Sequence, residues 1–237
     1  IIAPRVVTTL IEDIFAPYLL GRMLPVPSDV WDDLYDLMRV RGFFGGFWCD
    51  TLAAIDIALW DLHARSKRTP LAALLGASPR SHIPAYISGL PRSDLAERVN
   101  LARAFAAEGF RAFKYAAAVS HQGIVTEMAA LRESLGEDVD LMVALHWKFS
   151  AADALSLIEQ LAPYRPRFVE APVAPEDVSA QAYVAAHSLV PVALGEEWHS
   201  VYVARPRFEQ RALRIVQPEV AHCGVSQFLR IAQMAAE

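Results

Sequence analysis

Charged and imidazole side chains recur along the chain at regular intervals, each near the end of a short apolar run. They are Lys114, His146, Glu170, Glu196 and Glu219. Glu170 and Glu196 are 26 residues apart, and position 144, beside His146, lies 26 residues before Glu170. Two carboxylates that converge repel each other unless a cation lies between them, and hard oxygen ligands suit Mg²⁺. The spacing therefore predicts a magnesium site; the alternative is that each glutamate caps a helix or faces solvent.

The apolar runs alternate with amphipathic segments, which indicates how these side chains are positioned. Strict alternation of strands and helices is typical of a parallel sheet covered by helices. The carboxyl ends of such strands share one edge, where barrel enzymes place their active sites. Strands are predicted at 83–88, 112–116, 141–145, 167–170, 192–194 and 213–217, with helices at 94–107, 123–135, 151–161, 177–187, 201–209 and 225–236.

Six such units suit either an open doubly wound sheet or three-quarters of an eight-unit barrel. The first strand is not followed by G-x-G-x-x-G, and the chain has no G-x-x-x-x-G-K-[ST]. A nucleotide-binding doubly wound sheet therefore loses its main sequence support. The first 80 residues show helical spacing of apolar side chains instead. We predict an α/β protein with a helical region at 1–80 and six units of a barrel at 81–237.

The composition excludes several classes of protein. The 237 residues are 54% hydrophobic and 21% charged, which permits a sizeable core and excludes intrinsic disorder. The net charge of −5 and dispersed basic residues argue against general binding to nucleic acid or anionic membranes. No apolar run reaches the roughly 18 residues of a membrane span. Cys49 and Cys223 form neither a disulfide framework nor a zinc site, so a reducing compartment such as the cytoplasm is expected. We also expect a homo-oligomer that acts on a small molecule.

Several short segments, taken in order, resemble the mandelate racemase and muconate lactonizing branch of the enolase superfamily. The resemblance implies a mixed α+β capping domain, of which 1–80 is the helical part, and a (β/α)7β barrel. Because the opening strands of the cap and the last strands of the barrel have no counterpart here, we expect an incomplete copy. The segments are 54–62 (AIDIALWDL), 70–76 (PLAALLG), 83–86 (IPAY), 109–114 (GFRAFK), 169–172 (VEAP), 194–196 (LGE) and 215–219 (IVQPE).

The same resemblance implies abstraction of the proton α to a carboxylate, with Mg²⁺ stabilising the enediolate. Three carboxylates at the ends of strands three, four and five hold the metal in that family. Glu170 and Glu196 match the second and third, but the first position carries Ala144. An alanine methyl cannot coordinate a cation, so we expect weakened Mg²⁺ binding.

The candidates for proton transfer are Lys114, Tyr115, His146 and His222. Many relatives carry Lys-x-Lys at the end of strand two, whereas this chain has Lys114-Tyr115-Ala116 and lacks the second lysine. A tyrosine with a histidine resembles the pair used by mannonate-type dehydratases. The alternatives are a packed aromatic at Tyr115 and structural histidines at the other two positions.

Together these features predict a hydro-lyase that removes water from an acid sugar, with a galactarate-like substrate favoured, to give a 2-keto-3-deoxy acid. A racemase or epimerase of the same superfamily shares the enolate and remains an alternative. A catalytically impaired homologue that lacks one metal ligand is the other alternative.

Overall fold

The computed structural model describes residues 3–23, 25–76 and 80–237. Residues 1, 2, 24 and 77–79 of the predicted helical region lie outside the described residues. The helices are α1 (Pro4–Leu10), α2 (Ala16–Leu19), α3 (Pro27–Arg39), α4 (Gly46–Ser66), α5 (Leu71–Leu74), α6 (Leu95–Ala107), α7 (Ile124–Leu135), α8 (Ala151–Leu161), α9 (Val178–His187), α10 (Val201–Glu209) and α11 (Val220–Ala236). The strands are β1 (Ile87–Ser88), β2 (Ala112–Ala116), β3 (Asp140–Ala144), β4 (Phe168–Glu170), β5 (Val192–Leu194) and β6 (Ile215–Val216).

The chain divides into two compact units. The first contains Ile1–Ser81, Gly195–Arg205 and Pro218–Glu237, and the second contains His82–Leu194 and Pro206–Gln217. The predicted boundary at residue 80 stays a prediction, since segments from later in the chain belong to the first unit. None of the helices in the described ranges is both long and apolar enough to cross a membrane. Cys49 and Cys223 are buried free thiols.

The first unit is built around the apolar faces of α3 and α4. Pro27 occupies the first turn of α3, where its missing N–H costs no helical hydrogen bond. The helices α1–α5 lie within residues 1–80, where the sequence predicts a helical region. The buried cluster contains Phe15, Val30, Trp31, Leu34, Tyr35, Trp48, Cys49 and Leu52.

A buried carboxylate sets the path of α11 within the first unit. Asp56 Oδ2 accepts a hydrogen bond from the Ser226 backbone N at 2.9 Å, and Oδ1 accepts one from Ser226 Oγ at 2.5 Å. Gly224 interrupts α11 with φ +71°, and a Cβ there would lie 2.7 Å from Asp56 Oδ2. Burial raises the pKa of Asp56, although hydrogen bonds from Ser226 oppose the shift. Because the backbone of Gly224 is not helical, the helix predicted from residue 225 begins after this glycine, and the preceding turn at Val220 is separated from it by a kink.

The second unit contains one six-stranded sheet with the strands in chain order. Every neighbouring pair, from β1 with β2 to β5 with β6, is parallel. The predicted barrel-type order is confirmed, because a doubly wound sheet would reverse its order in the middle. β1 is shorter than the predicted 83–88. Pro84 in that segment has no N–H to donate to a neighbouring strand.

The pairing register shows which side chains share a face of the sheet. Ala144 pairs with Ala116 on one side and with Glu170 on the other. Lys114 pairs with Met142, two residues before Ala144 in β3. Because successive side chains alternate between faces, these residues all lie on one face. Their face also carries a buried apolar cluster formed by Met142, Phe168 and Ala193, with Ala112 and Ile215 packed against it.

Candidate active site

A buried ion pair joins β2 to β4 across the strand between them. Lys114 Nζ lies 2.5 Å from Glu170 Oε2, and the two side chains are 13% and 4% exposed. Ala144 of β3 is paired in register with Glu170, and its methyl leaves room for the lysine to pass. The structure therefore brings together two predicted site residues at the carboxyl end of the sheet.

The surroundings keep Lys114 charged. Burial by itself lowers the pKa of its ammonium, but the hydrogen bond and charge of Glu170 outweigh burial, with smaller contributions from Tyr86. The net result is a raised pKa, so Lys114 is an ammonium at neutral pH. It cannot act there as a base, and its contribution is a fixed positive charge.

Two further side chains extend this ion pair, and the sequence analysis did not select them. Tyr86 lies beside the lysine, with Nζ 5.5 Å from its ring centroid. Gln217 Nε2 donates to the Tyr86 hydroxyl at 3.3 Å. Tyr86 directly precedes β1 and Gln217 directly follows β6, so the first and sixth strands approach each other. The sheet is therefore strongly curled, as a barrel requires.

His146 follows β3 in a backbone conformation that is rare for residues other than glycine. Both His146 and Trp147 have φ +55°, and Ala171, directly after Glu170, has φ +50°. Such strain costs on the order of 1–3 kcal/mol per residue and is concentrated at functional sites. Hydrogen bonds hold this arrangement, since Trp147 N donates to Ala171 O at 2.7 Å.

The contacts of His146 also define its tautomer. Its Nδ1 lies 3.1 Å from the Ala144 carbonyl oxygen. A carbonyl can only accept a hydrogen bond, so Nδ1 carries a hydrogen, and in the neutral ring Nε2 holds the lone pair. The ring is half-buried and packs edge-on against Trp147, with the ring centroids 6.2 Å apart. His146 therefore combines a fixed ring with a nitrogen able to accept a proton.

Tyr115 is placed differently from the prediction. It alternates with Lys114 along β2, pairs with Val143 on the opposite face, and is 1% exposed. Its hydroxyl donates to the Ile124 carbonyl at 2.6 Å, at the start of α7. Burial and the nearby charge of Glu127 raise its pKa well above the usual value. The expectation that its hydroxyl joins the rim is corrected, because the strand continues through Ala116 and keeps its alternation.

A second buried ion pair supports the loop that follows β2. Arg98 Nη2 lies 2.6 Å from Glu127 Oε1, with both side chains 2% exposed. Ser120 Oγ donates to the other carboxylate oxygen at 2.6 Å, and Arg98 Nη1 donates to the Val119 carbonyl at 3.0 Å. These contacts tie α6 and α7 to residues 117–123. They are a structural support on the helix side of the sheet.

The remaining predicted site residues, Glu196 and His222, belong to the first unit. His222 lies in the first turn of α11, and its Nδ1 is 2.9 Å from Asp50 Oδ1 of α4. Glu196 is exposed and follows Gly195, which has φ +134°. That Glu170 and Glu196 share one cation stays a prediction, as do proton transfer by His222 and the other assigned roles.

The donor atoms suit Mg²⁺ in type, but the described residues supply few of them. Glu170 offers a hard carboxylate oxygen, and the ion pair with Lys114 uses Oε2 and not Oε1. Ala144, beside it, supplies no donor. Within the described ranges, no group of three or more His, Cys, Asp or Glu is placed to hold a metal. Mg²⁺ tolerates one or two carboxylates because water and substrate oxygens complete its shell.

Comparison with known proteins decides the family. The model of the "Enolase C-terminal domain-like" family matches residues 97–237, which is more than half of the chain. The model of the "Mandelate racemase / muconate lactonizing enzyme, N-terminal domain" matches residues 3–76. The chain belongs to the enolase superfamily. Its six parallel strands are accordingly part of an enolase-type barrel, and the predicted fold class is confirmed.

Two curated relatives of this superfamily member act on acid sugars, according to their names. D-galactarolactone cycloisomerase of Agrobacterium fabrum is 32% identical over 226 residues, covering 93% of this chain and 60% of the relative. D-galactonate dehydratase of Klebsiella pneumoniae is 31% identical over 230 residues, covering 92% and 59%. The chain thus spans about three-fifths of the length of these relatives.

Solved structures of the superfamily agree closely with this fold. A member of the enolase superfamily from Agrobacterium tumefaciens has a TM-score of 0.96 at 44% identity, covering all of this chain and 61% of that one. A racemase from Streptomyces coelicolor A3(2) with bound magnesium has a TM-score of 0.91 at 29% identity, covering 98% and 65%. Magnesium therefore occurs in this superfamily.

Proposed function

We propose that the protein is an acid-sugar dehydratase, which removes water from an aldonate or aldarate to give a 2-keto-3-deoxy acid. A galactarate-like or galactonate-like substrate is favoured. The observation that carries the proposal is the buried Lys114–Glu170 pair, with His146 following the end of β3, the strand between them. A fixed cation and an imidazole nitrogen can serve proton abstraction α to a carboxylate.

In this proposal, Lys114 supplies positive charge and His146 accepts the proton. The Lys114 ammonium attracts the substrate carboxylate and stabilises the negative charge that develops when the α-proton leaves. The buried site strengthens this attraction, because charges there are less screened by water. His146 Nε2 has the free lone pair, and the contact between Nδ1 and the Ala144 carbonyl keeps that tautomer in place.

Glu170 and Glu196 would hold Mg²⁺, as the sequence predicts. When bound, the ion polarises the substrate carboxylate and makes the α-proton more acidic. Glu170 also fixes the lysine, so the same carboxylate serves the ammonium and the metal. Ala144 contributes no ligand, and the affinity for Mg²⁺ is therefore lower than with three carboxylates.

An isomerase of the same superfamily is the second candidate. A racemase and a cycloisomerase are among the similar proteins, and racemisation shares the α-proton abstraction but retains every hydroxyl. The catalytically impaired homologue is supported by Ala144 alone. A racemase or epimerase and an impaired homologue both predict no keto acid, which separates them from the dehydratase.

The test is keto-acid formation from a panel of aldonates and aldarates with Mg²⁺ present. Semicarbazone absorbance measures the 2-keto-3-deoxy product, and ¹H NMR of the same samples detects epimers or lactone rearrangement. Keto acid from at least one galacto-configured acid supports the proposal. An epimer or rearranged lactone without keto acid identifies an isomerase, and no change in any substrate supports the impaired homologue.

A further inference from the structure

We propose that Tyr86 is the acid that protonates the departing hydroxyl in this dehydration, with Gln217 holding its phenol in position. The inference rests on the proposed function and adds a residue to its site. Tyr115, the tyrosine that the sequence indicated, donates its hydrogen to Ile124 on the other face of the sheet. Tyr86 is the tyrosine that contacts Lys114.

The contacts of the Tyr86 oxygen leave its own hydrogen available. Lys114 Nζ, 5.5 Å from the Tyr86 ring centroid, is a donor group and does not take the hydrogen of the phenol oxygen. Gln217 Nε2 is also a donor, 3.3 Å from the same oxygen. A phenol oxygen has two lone pairs and one hydrogen. Both neighbouring groups are donors, so the phenol hydrogen is what the side chain offers to a ligand.

Tyr86 lies beside the buried charges. Its ring centroid is 5.5 Å from Lys114 Nζ, and the side chains of Lys114 and Glu170 are 13% and 4% exposed. A substrate whose carboxylate faces Lys114 would bring the hydroxyls on its next carbons towards this side chain.

Gln217 carries a second indication of a polar ligand. Its Oε1 is buried and has no hydrogen-bond partner among the described residues. A buried acceptor without a donor costs about 1–3 kcal/mol and calls for an explanation. The hydroxyl groups of an acid sugar are donors that would satisfy it. Tyr86 and Gln217 thus supply a proton donor and an acceptor at one place, as a polyol requires.

The proposed step balances as follows. The base takes the proton from C2, and the C–H electron pair forms the enediolate. The enediolate then collapses to a C2=C3 double bond while the C3–O bond breaks with its electrons on oxygen. The Tyr86 hydroxyl gives its proton to that oxygen and water leaves. The phenolate regains a proton from solvent, the base releases the one it took, and the enol tautomerises to the 2-keto acid.

The experiment compares Tyr86→Phe with the wild-type protein and with Tyr183→Phe in D₂O. Tyr183 is an exposed tyrosine of α9 that stacks on His187, so its variant loses a phenol hydroxyl elsewhere. Keto-acid formation and exchange of the C2 proton for deuterium are measured together. We expect Tyr86→Phe to lower keto-acid formation about 100-fold or more while C2 exchange continues, and Tyr183→Phe to change neither.

Two results would overturn the inference. Keto-acid formation at the wild-type rate shows that the hydroxyl is not needed, and an equal fall in both rates shows a merely structural role. If the wild-type protein produces neither C2 exchange nor keto acid, that result contradicts the proposed function and not the role of Tyr86. In that case D-galactonate binding, measured by calorimetry, still tests the contact. A loss of about five- to tenfold in affinity for Tyr86→Phe supports it, and equal affinities overturn it.

Discussion

The Lys114 ammonium reaches over Ala144 to the Glu170 carboxylate. Nζ and Oε2 are 2.5 Å apart, although the residues lie on β2 and β4 with β3 between them. Neighbouring strands are about 4.8 Å apart, so the lysine spans a whole strand. Ala144, in register with Glu170, permits this because its side chain is a single methyl. Ala144 is also the position where the sequence resemblance predicts the first metal ligand.

Replacement of this alanine by a carboxylate should strengthen metal binding. Ala144→Asp would place a second carboxylate in register with Glu170, on the same face of the sheet. We expect Mg²⁺ affinity and keto-acid turnover to rise about tenfold or more, equivalent to about 1.4 kcal/mol each. Calorimetric Mg²⁺ titration and the keto-acid assay measure the two effects. Ala144→Asn, which adds similar bulk without charge, should produce neither gain; unchanged Mg²⁺ affinity in Ala144→Asp would contradict the assignment.

Removal of the lysine should leave a buried charge without a partner. We expect Lys114→Met to lower the free energy of unfolding by about 3 kcal/mol, because breaking a buried ion pair strands the other ion. Urea unfolding measures this loss. Lys148→Met, at an exposed lysine, should change stability by less than about 0.5 kcal/mol. Adding Glu170→Gln to Lys114→Met should restore part of the loss, and simple additivity of the two substitutions would show that they do not interact.

The raised pKa of Lys114 gives its stabilisation a defined pH range. A group whose pKa is higher in the folded state stabilises the protein when protonated. The difference in unfolding free energy between wild type and Lys114→Met should therefore be constant from pH 7 to about the ordinary lysine pKa of 10.5. It should shrink as the pH rises further through the folded-state value. Urea unfolding across this range tests the sign, and a difference that grows above pH 10.5 would be inconsistent with it.

Tyr115 should behave as a structural residue. Tyr115→Phe removes the hydrogen bond to the Ile124 carbonyl and leaves that carbonyl without this donor, so we expect a loss of about 1 kcal/mol in stability. Its effect on the pH dependence of turnover should be nil, because the hydroxyl lies on the opposite face from Lys114. Thermal unfolding and a pH–rate profile check both parts. A shifted pH profile with unchanged stability would show instead that Tyr115 takes part in the reaction.

The alternation of strands and helices sufficed to predict the sheet order, because short β–α units leave few other arrangements. The same pattern located Ala144 and Glu170 at strand ends, whereas Lys114 lies in the middle of β2. The alternation of side chains along β2 also explains why Tyr115 lies on the face opposite to Lys114, since two adjacent residues of a strand cannot face the same side. The sequence analysis did not select Tyr86, because it lies shortly after Pro84 and just before β1, a strand of only two residues. The ion pair between Lys114 and Glu170 depends on a side chain reaching across β3. The spacing of residues along the chain gives no information about that reach.

The central claim, that this protein removes the proton α to a carboxylate, is tested most directly by isotope exchange. The protein is incubated with D-galactonate or galactarate and Mg²⁺ in D₂O, and the C2 proton signal is followed by ¹H NMR. We predict that the signal disappears with wild-type protein, through exchange or conversion to keto acid. It should disappear with Tyr86→Phe by exchange alone, and persist with His146→Asn. Retention of the C2 proton with wild-type protein, in every acid sugar tested, would contradict the account.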